Sequence, residues 1–248
     1  MGIRVPKEKT IPLLVRLAYL ANRLPRRSRT SRLSLLLDLE WVLNRLCHEE
    51  SFALFSRDDH PLRQATARFI GSVLPPDAVV LDIGCGSGDL TRMLAMSAVS
   101  VVGIDHDRDC IAVAQENHRL SNVEFLVGEA EECLASTDMK FDVVILSHVL
   151  EHLENPVLEI QRLRGFLKPG GNFIIEVPNV MYNRCFPAAK WHIGHLYNFN
   201  TVTLAAVAVK AGLDVVKVEA LGDGGNVRGI FVNNEPAGDY CLDGNFQA

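Results

Sequence analysis

Three short segments of this 248-residue chain hold the residue types best suited to chemistry. The first is Asp82-Ile83-Gly84-Cys85-Gly86-Ser87-Gly88, directly after the apolar run Val79-Val80-Leu81. Glycines tolerate positive φ and let a ligand approach the backbone closely. Free N–H groups at the helix start that follows suit polar or anionic ligand groups. Asp105 ends the next apolar run, where a carboxylate can accept from both hydroxyls of a ribose. The second segment, Ser147-His148-Val149-Leu150-Glu151-His152, packs two imidazoles and a carboxylate into six residues. Histidine exchanges protons near neutral pH and ligates metals. If this turn is helical, His148 and His152, four residues apart, share a face. The third segment is Trp191-His192-Ile193-Gly194-His195-Leu196-Tyr197. There His195 is the favoured candidate general base, weighed against a loop histidine that only anchors the helix after it.

The elements that must position these residues are legible as periodicities. Apolar, Val/Ile-rich runs at 78–83, 100–104, 123–127, 141–146 and 172–177 alternate with helical stretches near 88–97, 108–120 and 154–167. Strand–helix alternation implies a parallel sheet with helices on both faces, and continuously apolar strands fit burial on both sides. Ligands of such sheets bind beyond the carboxyl ends of the strands, where all three segments fall. A helix near 201–211 and strands near 214–221 and 227–233 follow. The last two are joined through Gly222-Asp223-Gly224-Gly225, which suggests an antiparallel pair. The expected fold is α/β, a Rossmann-like doubly wound seven-stranded sheet, mostly parallel with one antiparallel strand, plus an N-terminal helical extension. Three helices are expected over residues 10–74, the third opening at Pro61. The expected organisation is an extension over 1–59, a ligand-binding domain over 60–233 and a tail over 234–248.

Composition narrows the classes. Hydrophobic types make up 48% and charged types 22%, which excludes a disordered chain. No apolar run of ~18 residues predicts a membrane span. The net charge of −5 is split: residues 1–37 hold nine Lys/Arg and one acid, +8, and the remainder holds sixteen against 29, −13. The acidic body argues against a specific nucleic-acid partner. The basic head leaves open a peripheral membrane or protein contact, or a lid packed on the domain. Six scattered cysteines without a CxxC pair fit a reducing compartment, so a cytoplasmic location is expected.

Glycine spacing separates two nucleotide-binding readings. The dinucleotide fingerprint is GxGxxG, whereas this loop reads Asp-x-Gly-x-Gly-x-Gly. Over roughly residues 60–233 the chain resembles class I S-adenosylmethionine (SAM)-dependent methyltransferases. The loop 82–88 resembles the family's first motif, which implies that Asp82, Gly84, Cys85, Gly86 and Gly88 line the amino-acid part of SAM. Asp105 matches the ribose-binding acid, with His106 beside it. Val127-Gly128-Glu129-Ala130 resembles the adenine segment, Glu129 accepting the exocyclic amine and the Ala130 N–H meeting a ring nitrogen. Phe141 through Leu153 resembles the fourth strand and its catalytic edge, which places Ser147 at the cofactor. Leu167-Lys168-Pro169-Gly170-Gly171 resembles the turn before strand five.

The resemblance implies methyl transfer from SAM, leaving S-adenosylhomocysteine, with His148, His152 and His195 as catalytic candidates. Glu151, Asn179, Tyr182 and Tyr197 are the candidate acceptor contacts. The ubiquinone-biosynthesis O-methyltransferases carry a similar segment with a metal site of two acids and a histidine. Glu151 and His152 match it, but His148 replaces the first acid, so no metal is expected. Motifs of nucleic-acid and protein-arginine methyltransferases are missing from this sequence. The expected acceptor is therefore a small molecule, a sugar, quinone or secondary metabolite, methylated on O or N. The alternative is a membrane- or partner-docked protein acting on a lipid-linked or macromolecular acceptor.

Overall fold

A computed structural model describes residues 28–36, 39, 42–43, 61–181, 195–222 and 225–234. The chain divides into two compact units, residues 1–56 and 57–248. In the first, residues 29–36, 39 and 42–43 are helical, on the second of the helices expected there. The helix expected over 10–24 and the tail from 235 lie outside the described residues.

The second unit opens with α1 (Pro61–Val73), whose proline takes the first-turn position. The alternation then runs β1 (Val79–Ile83), α2 (Asp89–Leu94), β2 (Ser100–Asp105), α3 (Arg108–Asn117), β3 (Val123–Val127), α4 (Ala130–Leu134) and β4 (Phe141–Ser147). A single 3₁₀ turn (Leu150–His152), α5 (Pro156–Arg164), β5 (Leu167–Pro178), α6 (Thr201–Lys210), β6 (Asp214–Ala220) and β7 (Asn226–Val232) complete it. The seven strands form one sheet in the order β3-β2-β1-β4-β5-β7-β6. The first five pair in parallel, and β7 runs antiparallel to both β5 and β6. This is the expected Rossmann-like fold. Its strand order reverses between β1 and β4, where such folds open a ligand crevice.

Alternation along each strand feeds two cores. Val80, Val101, Val143, Ile145 and Ile174 pack with Ile70 of α1 and Leu94 of α2. Their neighbours Leu81, Val102, Val144, Leu146 and Ile175 pack with Ile160 and Leu163 of α5 and Leu204 and Ala208 of α6. Helix starts are set by short polar side chains. Asp107 accepts from the N–H groups of Asp109 and Cys110, and Asn155 from that of Leu158. Asn200 and Thr203 form a reciprocal capping box.

Two differences from the sequence reading have simple causes. The five residues of α4 are too few to show a helical period. The segment Leu167–Gly171 is not a free turn, because Leu167 already pairs with Phe141 before the register slips and Gly170 turns at φ +74.

Candidate active site

Loop 84–88 turns through positive φ at Gly84 (+68), Gly86 (+54) and Gly88 (+78), which brings the chain from β1 into α2. A Cβ on Gly84 would lie 2.3 Å from Val149 Cγ2, and one on Gly88 would lie 2.6 Å from the Phe125 ring. Both positions therefore need glycine for space as well as for backbone angle. The loop is tied to β2: the Gly84 N–H donates to the Ile104 carbonyl at 2.8 Å, and the Gly86 N–H to Asp105 Oδ2 at 2.8 Å. Asp105 Oδ1 accepts from the Asp107 N–H at 2.8 Å. Each carboxylate oxygen of Asp105 keeps a second lone pair for a ligand.

A cavity of about 490 Å³ opens beyond the carboxyl ends of β1, β2, β3 and β4. Of the residues singled out from the sequence, Gly84, Asp105, His106, Glu129, Ala130, His148 and His152 line it. Asp105, Glu129, Glu154 and Glu159 make its wall acidic, which suits a cationic ligand. Burial, reinforced by Glu131, raises the Glu159 carboxyl above its usual range.

Other expected contacts sit one layer back. Asp82 is 1% exposed and accepts from the Thr91 hydroxyl at 2.7 Å. Burial pushes its pKa up to about 7, with Thr91 pulling down and the charge of Asp105 adding to the rise. Burial and the Asp82 charge also push the Cys85 thiol up, so it stays neutral and unreactive. Cys85, Gly86, Gly88 and Ser147 shape the loop and strand ends rather than the cavity wall. Asn179 closes a local turn by accepting from the Met181 N–H at 3.0 Å. The Tyr197 hydroxyl donates to the Glu154 carbonyl at 2.9 Å, so Tyr197 anchors the second histidine segment rather than facing the cavity. Tyr182 lies outside the described residues.

The histidine segment is not the helical turn that i, i+4 spacing suggests. His148 sits at φ +58, before the 3₁₀ turn, so His148 and His152 do not share a helix face although both reach the cavity. The His148 N–H donates to the Glu176 carbonyl at 2.8 Å, which fixes this conformation. Its ring is about half buried, with Nδ1 3.5 Å from Glu151 Oε1 and Nε2 3.8 Å from Glu176 Oε1. The Asn226 amide lies 3.3 Å from Nε2. Burial disfavours the imidazolium, but Glu151 and then Glu176 outweigh it and hold the His148 pKa above its usual value.

Glu176 is itself buried. It is paired with Arg228, accepts from the Thr66 hydroxyl at 3.2 Å, and has the Asn226 amide at 3.1 Å. Arg228 in turn stacks 4.1 Å above the Phe69 ring. Glu176 and Asn226 were not read from the sequence. The available signal was a lone carboxylate in the run Ile174-Ile175-Glu176-Val177, since an acid inside a doubly buried strand must be paired.

The second histidine segment folds back on the first. The Leu196 and Tyr197 N–H groups donate to the Glu151 carbonyl at 2.8 and 3.2 Å. His195 packs edge-on against His152, with ring centroids 4.9 Å apart. Ligand-type atoms of Glu151, His152 and His195 all lie within 4.8 Å of one another, the group among the described residues with the donor set for a metal ion. His195 is not part of the cavity wall.

A family model described as a methyltransferase domain matches residues 74–226. The rat mitochondrial ubiquinone biosynthesis O-methyltransferase is 37% identical over 105 residues, 40% of this chain and 30% of that protein. The ubiquinone biosynthesis O-methyltransferase of Xanthomonas campestris pv. campestris (strain B100) is 31% identical over 123 residues, 48% of this chain and 52% of that protein. The chain thus spans about half or less of the curated relatives it matches. Among solved structures, N-methyltransferase NodS from Bradyrhizobium japonicum WM9, in complex with S-adenosyl-L-homocysteine, superposes with a TM-score of 0.55 at 21% identity. That match covers 71% of this chain and 88% of NodS. The [4+2]-cyclase SpnF superposes with a TM-score of 0.59 at 19% identity, covering 73% of this chain and 83% of SpnF. At these identities the structural matches speak for the fold.

Proposed function

The chain belongs to the class I SAM-dependent methyltransferases, and from that premise we propose that it O-methylates a hydroxyl of a small quinol- or phenol-like acceptor. The observation that carries this reading is one cavity with two differently equipped ends. In the strand order β3-β2-β1-β4, Gly84, Asp105, Glu129 and Ala130 line it from the ends of β1, β2 and β3, and His148 and His152 from beyond β4.

The residues fit SAM. Gly84 keeps the wall free of a side chain, the Asp105 oxygens have lone pairs for ribose hydroxyls, and Glu129 with the Ala130 N–H would hold the adenine. When bound, SAM supplies an electrophilic methyl group on its sulfonium. The chain's own task is to hold the acceptor oxygen in line and to take its proton. His148 takes that proton. Glu151 and Glu176 face its two ring nitrogens and stabilise the imidazolium that forms. Glu176 and Asn226 position the ring, while Tyr197 ties the flanking loop to Glu154. Among the curated relatives, those named for ubiquinone biosynthesis support the choice of acceptor.

Labelled SAM with a panel of quinols, phenols, amines and sugars tests the reading. Transfer to a hydroxylated aromatic is expected, and transfer only to protein, nucleic acid or an amine overturns it. His148→Ala should cut kcat by roughly 10²–10⁴-fold with SAM affinity unchanged. Normal turnover in that variant removes His148 as the base.

A membrane-docked variant of this reading draws on the first unit, where Leu33, Leu36, Leu39, Val42 and Leu43 are exposed on helical residues beside a strongly basic stretch. No helix among the described residues is long and apolar enough to cross a membrane. Flotation with anionic vesicles should carry the full chain and not a form lacking residues 1–43. Equal recovery of both forms excludes docking through this segment.

A further inference from the structure

We propose that Asp89 and His118 are positioning residues for the methyl donor, a buried pair that holds the glycine loop from behind in the shape that receives SAM. Asp89 directly follows Gly88 and opens α2, and His118 caps the carboxyl end of α3. They are 2% and 7% exposed, and neither lines the cavity. His118 Nε2 lies 3.3 Å from Asp89 Oδ1, yet neither imidazole nitrogen nor Oδ1 has an aligned hydrogen-bond partner among the described residues. Buried polar groups are ordinarily satisfied, and leaving them short of partners destabilises the fold. An apolar side chain at position 118 would avoid that loss and still lie near Phe125, whose ring centroid is 6.3 Å from that of His118. A polar pair at such a place has a task other than packing.

That task follows from what Asp89 holds. Its Oδ2 accepts from the Ser87 hydroxyl at 3.2 Å and is paired with Arg63 of α1. With the ring proton on Nε2, His118 is the third donor facing this carboxylate. Ser87 belongs to the loop and follows Gly86, whose N–H is tied to Asp105. The turn is therefore fastened twice. On the cavity side Gly86 binds it to β2, and on the far side Ser87 and Asp89 bind it to α1 and α3. Gly88 sits between the two fastenings with no space to shift, since a Cβ there would lie 2.6 Å from the Phe125 ring and 3.0 Å from the Ala114 Cβ. The Ala114 carbonyl accepts from the His118 N–H at 2.9 Å. The end of α3 that crowds Gly88 thus also presents the imidazole to Asp89.

The loop can receive the amino-acid part of a cofactor only where its backbone groups already point, and a misplacement of ~1 Å caused by a change far from the chemistry can cost ~100-fold. Without the His118 ring, the Oδ1 side of Asp89 is free to turn, and Ser87 turns with it. The pair acts through Ser87 and not by touching the cofactor. This inference rests on the cofactor role given above to the glycine loop, and not on the identity of the acceptor.

The full chain is titrated with SAM by calorimetry, without acceptor, well below the Tm of every variant. His118→Leu should weaken SAM binding by roughly 5–150-fold, the usual span of coupling between a remote group and a site. His118→Gln, whose amide nitrogen reaches the place of Nε2, should restore most of the affinity. Ser87→Ala should also weaken binding, and the double variant should lose less than the product of the two single losses, because both act through Asp89. Phe173→Leu, in the core formed with α5 and α6, should lower Tm and leave SAM affinity unchanged, which separates positioning from lost stability. If His118→Leu does not fold, Asp89→Asn takes its place with the same expected loss. Wild-type affinity in a folded His118→Leu overturns the proposal. So do equal losses in His118→Leu and His118→Gln, a matching loss in Phe173→Leu, or strictly multiplicative losses in the double variant. A wild type that binds no SAM overturns it together with the loop's cofactor role, whereas equally tight binding by wild type and His118→Leu leaves that role standing.

Discussion

Asp82→Asn should stabilise this protein above neutral pH and do little near pH 4. The Asp82 carboxyl is 1% exposed and accepts from the Thr91 hydroxyl at 2.7 Å. Burial, opposed by Thr91 and reinforced by Asp105, raises its pKa from 3.8 to about 7. The sign follows from linkage. A carboxyl whose folded pKa is raised contributes fully below its unfolded value, and that contribution is lost as pH rises through about 7. At ~1.36 kcal/mol per pH unit, the interval from 3.8 to about 7 is worth roughly 4 kcal/mol at pH 8. Asparagine keeps the shape and an oxygen that accepts from Thr91, but it carries no charge to desolvate. For a unit of this size 1 kcal/mol moves Tm by about 2–4 °C, so the variant should melt up to about 8–16 °C higher at pH 8. The assay is calorimetric unfolding of both proteins at one-unit steps from pH 4 to pH 8 at fixed ionic strength. A Tm difference independent of pH, or a wild type that is the more stable at pH 8, refutes the reasoning. Either result means that Asp82 is ionised and satisfied in the fold.

Three further perturbations address the glycine loop, the Asp105 carboxylate and the network behind His148. Asp105→Ala should weaken SAM binding by at least about tenfold, the equivalent of ~1.4 kcal/mol, read by calorimetry; unchanged affinity removes Asp105 from the ribose. Gly88→Ala should cost clearly more than Gly86→Ala in urea unfolding. Both positions have positive φ, worth ~1–2 kcal/mol, but only the Gly88 methyl would collide with Phe125. Equal losses would show that crowding plays no part. Arg228→Met should destabilise by about 3–5 kcal/mol, because it leaves Glu176 buried and uncompensated. Adding Glu176→Gln should recover part of that loss, and strict additivity of the two would falsify the pairing.

The sheet and the glycine- and acid-lined end of the cavity were legible in the sequence because their signals are local. A strand buried on both faces is a continuous Val/Ile run, and a backbone that must turn through positive φ beside a ligand shows as closely spaced glycines. Gly84 directly follows β1, Asp105 ends β2 and Glu129 lies two residues past β3, so strand assignment alone carries them to the same edge of the sheet. The acceptor end was legible only as a set of residue types. His148 and His152 are four apart, yet the positive φ of His148 and the 3₁₀ turn break the helical face that spacing predicts.

What this sequence determined by itself is therefore the fold class, the glycine loop and acids at the carboxyl ends of β1 to β3, and the presence of histidines and acids beyond strand four. Which groups meet there was decided by tertiary structure. Glu176 reaches His148 from the neighbouring strand and is balanced by Arg228 from β7. His195 reaches His152 across 43 residues of chain because two backbone N–H groups bind one carbonyl of Glu151. Periodicity encodes how each segment meets the core. Long-range hydrogen bonds and buried charge pairs form only when segments distant in sequence close on one another, so they leave no period to read.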